Sequence, residues 1–175
     1  MLEVLYQEIS MTSTPSKTIR ALANPKKAAI YRRFFKTGRG EYGEGDRFLG
    51  VTVPNIHSLA KRFQNLPVPK IEKLLHSLFH EERMLALCIL MRLYGLGDQK
   101  TRTQIYRLYL ANTKHINTWD LVDATAQHIV GKHLEGKSKT ILFRLAGSKN
   151  LWKRRIAILS SFWESWEFTR RLEDL

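Results

Sequence analysis

A chain of 175 residues has room for about one domain, and 43% hydrophobic content with 4 Trp, 6 Tyr and 8 Phe supplies a core, which excludes wholesale disorder. Lys+Arg 29 against Asp+Glu 16 leave a formal charge of +13, a positive field that makes polyanions the first partners to consider. A single cysteine, Cys88, excludes an internal disulfide. Signal-peptide architecture is absent and the longest apolar run falls far short of the roughly 20 residues of a membrane span, so the chain is expected to be intracellular and cytoplasmic, with no membrane partner.

Residues 1–15 read as a lead segment, in which Met1–Gln7 is similar to a protease-site tag but lacks the Gly-Pro that follows one. A helix is predicted over 16–36. Between Glu8 and Glu41 there is no acid, while Lys17, Arg20, Lys26, Lys27, Arg32, Arg33, Lys36 and Arg39 supply eight positive charges. Residues 38–50 carry Gly38, Gly40, Gly43, Gly45 and Gly50 and predict a loop. The G-x-G-x-x-G formed by Gly38, Gly40 and Gly43 follows a predicted helix rather than a strand and contains Glu41, so it does not read as a dinucleotide fingerprint.

Beyond residue 50 the apolar spacing is helical throughout. Helices are predicted near 54–64, then from 70 with Ile71, Leu74, Leu75, Leu78 and Phe79 on one face, then with Met84, Leu87, Cys88 and Met91, ending near Gly95 and Gly97. Further helices are predicted near 100–112, 118–134 and 138–147, and a last one presents Trp152, Ile156, Leu159 and Trp163 inward. Starts near 70, 100 and 138 recur at 30 to 38 residues, the spacing of antiparallel helix pairs stacked as a solenoid. A second acid-free block, between Glu135 and Glu164, holds Lys137, Lys139, Arg144, Lys149, Lys153, Arg154 and Arg155. Two such blocks in one small chain favour a phosphate-tracking surface.

Several constellations read as structural. His76 and His80 at i, i+4 lack a further ligand and read as helix-surface residues, and Cys88 reads as a small buried hydrophobe. Asn117 or Thr118 can cap a helix, which places Asp120 in the first turn, where a carboxylate complements the macrodipole. Leu121, Val122, Thr125, Ala126 and Ile129 define the buried face of that helix, and Trp119 and Asp123 lie together beyond one edge of it. Either this pair does chemistry, or Trp119 packs on the next repeat while Asp123 pairs with an arginine. In the last helix Arg155 falls at the edge of the apolar stripe, held by packing while its guanidinium reaches out to phosphate or carboxylate, whereas Arg154 and Lys153 read as surface charge.

Three blocks in order resemble the AlkD-like DNA glycosylases. They are Phe35-Lys36-Thr37-Gly38 with Glu41-Tyr42-Gly43-Glu44-Gly45-Asp46-Arg47-Phe48-Leu49-Gly50-Val51, then Trp119-Asp120-Leu121-Val122-Asp123, then Asn150-Leu151-Trp152-Lys153-Arg154-Arg155-Ile156-Ala157. The resemblance covers roughly residues 20 to 160 and implies an all-α, HEAT-like helical-repeat solenoid over 16–175. It implies a monofunctional glycosylase that hydrolyses the N-glycosidic bond of N3- or N7-alkylated purines in duplex DNA. The base need not be turned out of the stack, contrary to the usual route of base chemistry.

By the same resemblance Asp123 is the catalytic aspartate, Trp119 lies against the lesion nucleotide and Arg155 engages the backbone beside it. Arg154, Lys153, Lys149, Arg39 and Lys36 join Arg155 as expected DNA contacts, with no metal and no small-molecule cofactor, and the protein is expected at the nucleoid of a bacterial-type cell when bound to DNA. The family continues into further repeats that supply a second lesion-flanking tryptophan. Trp163 and Trp166 do not stand in the matching motif and are not assigned that role. A chain ending at Leu175 is then expected to leave its C-terminal end uncapped and prone to self-association, and a non-catalytic DNA-binding scaffold is the alternative function.

Overall fold

The computed structural model describes residues 14–163, and within them the fold is an all-α helical repeat. Helix α1 spans Pro15–Ala21 and α2 Pro25–Phe34. The single helix predicted over 16–36 is therefore two. Asn24 has extended backbone, its Oδ1 accepts from the Lys27 amide at 3.0 Å, and Pro25 at the first helical position cannot continue α1. The chain then runs through α3 (Val53–Arg62), α4 (Val68–Leu75), α5 (His80–Leu96) and α6 (Gln99–Ala111), the last capped by Asp98 accepting from Thr101 N at 2.8 Å.

The region predicted as one helix over 118–134 is also divided, into α7 (Trp119–Asp123) and a π-helical segment Gln127–Gly131. Thr125 is the cause: its Oγ1 donates back to the Leu121 carbonyl at 2.5 Å and meets the Tyr109 hydroxyl at 2.9 Å, which diverts the backbone at that turn. Helices α8 (Thr140–Ala146) and α9 (Leu151–Ser161) follow. Packing partners lie close in chain order: α5 packs on α3, α4 and α6, and α9 packs on α8, the π segment and α7. That is the contact pattern of a helical repeat, in which each unit buries its apolar face on the next.

Helix α5 is the axis of the core. Every residue from His80 to Leu90 is buried, including Glu81, Glu82 and Arg83, so the one-sided stripe read from the sequence underestimates its burial. The stripe predicted for α4 is shorter than expected, because the helix stops at Leu75 and Leu78 is 61% exposed. Glu81 explains how the loop is held to the core: its carboxylate accepts the amides of Leu49, Gly50 and Val51 at 2.9, 2.7 and 3.3 Å. Gly50 has φ +80°, and a Cβ there would lie 2.2 Å from the Asn24 carbonyl oxygen, so the loop approaches α2 where only glycine fits. No described helix is long and apolar enough to cross a membrane. Residues 1–13, with the tag-like Met1–Gln7, and residues 164–175, with Trp166, lie outside the described residues.

Candidate active site

Helix α7 is only five residues long, yet it carries two carboxylates with different surroundings. Asp120 turns inward. Its Oδ2 accepts from His80 Nε2 at 2.7 Å and its Oδ1 from the Thr118 hydroxyl at 2.7 Å. Thr118 occupies the N-cap position expected of it, but its side chain serves Asp120 instead of a backbone amide. Asp120 is thus anchored by side chains more than by the helix dipole.

His80 links this helix to the glycine-rich loop. Its Nδ1 lies 3.3 Å from Asp46 Oδ2, and Asp46 in turn accepts from Arg83 Nη2 at 2.7 Å. A carboxylate at each ring nitrogen favours the protonated imidazole, in which both nitrogens donate. Burial alone would push the His80 pKa down, but the hydrogen bonds to Asp120 and Asp46 outweigh it and raise the value. The reading of His76 and His80 as one helix surface fails because the chain breaks between them: His76 is the exposed C-cap of α4 and His80, 3% exposed, opens α5. The signal missed in the sequence was His80 itself, a histidine at a helix start followed by Glu81, Glu82 and Arg83, all of which are buried.

Asp123, one turn on, faces out. Arg155 of α9 binds it with two parallel hydrogen bonds, Nε to Oδ1 at 2.5 Å and Nη2 to Oδ2 at 2.6 Å, a bidentate fork. The two side chains are 42% and 34% exposed for Arg155 and Asp123, and the hydrogen bond to Asp123 raises the arginine's already high pKa. Two of the guanidinium's five N–H groups serve Asp123, which leaves the others to reach an incoming anion.

Trp119 is half-buried and tops a column of rings. It stacks on Phe35 at 5.5 Å, Phe35 on Phe48 at 5.0 Å, and Phe48 on the His80 imidazole at 4.7 Å, with interplanar angles of 16°, 20° and 22°. Phe34 meets Trp119 edge-on at 5.9 Å. Trp119 therefore packs on Phe34 and Phe35 near the start of the described residues and not on the next repeat, while Asp123 is paired with an arginine, Arg155. An apolar cavity of about 350 Å³ lies beside the column, lined by Ile30, Tyr31, Phe34, Val53 and Met84 among others, and Trp119, Asp123 and Arg155 are not on its wall.

Of the remaining predicted residues, Lys36, Arg39 and Lys149 are exposed, while Lys153 and Arg154 are half-exposed on α9. Arg154 is partly committed, since its Nη1 donates to the carbonyls of Ser148 and Lys149, each at 2.9 Å. Lys36 has φ +48° and bends the chain into the loop, whose Gly38 and Gly40 amides donate to Glu41 and Glu44 carboxylates at 2.7 and 2.8 Å. Those acids take donors that a phosphate-binding glycine loop would offer to its ligand. Cys88 is buried, and burial pushes its thiol up to about 11, far from the range of a reactive thiolate.

No curated protein and no solved structure matches the chain. The family described as DNA alkylation repair enzyme matches residues 16–172, which spans all three motif blocks and both acid-free basic segments. The chain belongs to the DNA alkylation repair enzyme family.

Proposed function

We propose that the protein is a monofunctional DNA glycosylase that releases N3- and N7-alkylated purines from duplex DNA without turning the base out of the stack. The observation that carries the reading is the partly open Asp123–Arg155 fork one helical turn from Trp119. An alkylated purine is already cationic, so the electron pair of the N-glycosidic bond moves onto the departing base and neutralises it, and no general acid is needed. The sugar is left with oxocarbenium character at C1′. Asp123 stabilises that charge, orients a water towards C1′ and takes its proton, a role for a fixed carboxylate in a partly dehydrated site.

Arg155 engages the backbone phosphate beside the lesion with its unused N–H groups, and Trp119 packs against the deoxyribose. Lys36, Arg39, Lys149, Lys153 and Arg154 add phosphate contacts on the flanking surface. Binding of undamaged duplex is then steeply salt-dependent, because each neutralised phosphate releases counterions. The test is abasic-site formation in methylated duplex DNA by the full chain and by Asp123→Asn. Release that the substitution does not slow would sink the assignment.

One observation favours a second reading, a non-catalytic duplex-DNA-binding scaffold. Both Asp123 oxygens already accept from Arg155, so the carboxylate is neutralised until something draws the guanidinium away. That reading predicts salt-sensitive duplex binding with no base release.

A further inference from the structure

Helix α9 meets the chain around Asp123 at two places. It packs on α7, where Arg155 binds Asp123, and on the π-helical segment that follows α7. At the second place Ser160 Oγ donates to the Ala126 carbonyl at 3.3 Å, and a Cβ on Gly131 would lie 2.7 Å from the Ser160 carbonyl oxygen, so the two backbones nearly touch. Both contacts form at once only if α7 and the π segment are rotated correctly relative to each other. One residue of register turns a helix by about 100°, and a π turn closes on the fifth residue where an α turn closes on the fourth.

The joint between the two halves is Thr125. Its Oγ1 donates to the Leu121 carbonyl at 2.5 Å, the acceptor that its own amide would use in an unbroken α-helix, and the amide turns instead to the Val122 carbonyl at 3.1 Å. With the Thr125 proton committed, the Tyr109 hydroxyl is the donor in the 2.9 Å contact between them. Tyr109 comes from α6 and is fully buried. Burial raises the pKa of its hydroxyl, the bond to Thr125 opposes that, and the Asp123 carboxylate adds to the rise, so the proton stays on the tyrosine within electrostatic reach of Asp123. Phe and Val would fill the same space with no polar group to satisfy, and such a double replacement can be nearly neutral for stability. The distinctive effect of the Tyr109–Thr125 pair is therefore the backbone geometry that it imposes just after Asp123.

We infer that Thr125, held by Tyr109, is a positioning residue that sets the rotation at which Asp123 meets Arg155. Its consequence for base release rests on the proposed glycosylase reading, whereas the geometry of the fork does not.

The experiment follows the Arg155 Nε–H signal of the full chain by NMR, assigned from its absence in Arg155→Lys, with Asp123→Asn as the reference for an arginine without its carboxylate. In the wild type and in Thr125→Ser, which keeps the hydroxyl, this proton is expected to exchange slowly with water. In Thr125→Val it is expected to exchange at least about tenfold faster, the scale of one charged hydrogen bond, with its shift moved towards that in Asp123→Asn. Tyr109→Phe leaves the Thr125–Leu121 bond in place and is expected to act in the same direction by less, which also covers a Thr125→Val chain that does not fold. A wild-type signal in either folded variant overturns the inference, as does a Thr125→Ser signal no better than that of Thr125→Val, or a wild-type proton that exchanges as fast as in Asp123→Asn. Single-turnover release of methylated purine, followed in parallel, is expected to slow about 10- to 100-fold in Thr125→Val, with affinity for undamaged duplex within about twofold. Asp123-dependent release together with a wild-type Arg155 signal in Thr125→Val removes this inference alone. Absence of release from the wild type together with a displaced signal in Thr125→Val removes the proposed function and leaves the positioning role standing.

Discussion

Asp120 and Asp123 are three residues apart on one short helix, carry the same functional group, and each faces a cation. Asp120 is 16% exposed and belongs to a network with His80, Thr118, Asp46 and Arg83. Asp123 is 34% exposed and its fork with Arg155 is partly open to solvent. The two carboxylates differ in what holds them: Asp120 is bound to His80 and Thr118 at the inner side of the helix, whereas Asp123 is held, among the described residues, by Arg155 alone and is the more exposed of the two. His80 joins the two functions, since it binds Asp120 through Nε2 and supports the aromatic column under Trp119 through its ring face.

Breaking the buried side is expected to cost the most. Asp46→Ala removes the partner of both Arg83 and His80 where the Arg83 and Asp46 side chains are only 4% and 6% exposed. The uncompensated charge should destabilise the fold by about 3–5 kcal/mol in a denaturant titration; a loss under about 1 kcal/mol would show that the network does not hold the fold. Asp120→Asn keeps the shape but removes the charge, with an expected loss of about 1–3 kcal/mol and a fall in the His80 pKa.

Proton titration sharpens the contrast further. By NMR, His80 should titrate above the ordinary value of about 6.5. His115, His128 and His133 should titrate below it, because burial first and nearby cations second disfavour their charged forms. The stability contributed by His80 is fully present below about pH 6.5 and is lost as pH rises through its raised folded value. The Asp46 contribution runs the other way. Burial opposes its charged form, but His80 and Arg83 depress its pKa, so the contribution is present above about pH 3.9 and is lost as pH falls through the folded value. A His80 resonance titrating below 6.5 would contradict the network. At the small end, Arg155→Ala should change stability by no more than about 1 kcal/mol, because an exposed pair gains little against solvent, and a larger loss would place the fork with the structural core.

Much of the fold was legible because helix ends and helix faces have local causes. Asp98 before α6 and Asn150 before α9 cap as their types suggest, and Leu121, Val122, Thr125, Ala126 and Ile129 are all buried as their spacing requires. The break at Asn24-Pro25 was equally local, but the basic run on either side obscured it. The break at Thr125 was not local, because it depends on Tyr109 from another helix. At the site, the Trp119–Asp123 neighbourhood follows from i, i+4 spacing and the reach of Arg155 from its place at a stripe edge. Their partnership spans 32 residues, and the Arg83–Asp46 contact 37, separations at which spacing carries no signal. Polar residues packed on every side of α5 look like surface until the neighbours that bury them are in place.

We propose that Asp123 does the chemistry while Asp120 only positions it. Single-turnover release of methylated purine, measured for the wild type, Asp123→Asn and Asp120→Asn at a temperature where all three are folded, tests it most directly. The expected loss in rate is about 10²–10³ for Asp123→Asn, the scale of removing one preorganised electrostatic group, and no more than about tenfold for Asp120→Asn. Equal losses, or the larger loss at Asp120, would contradict it.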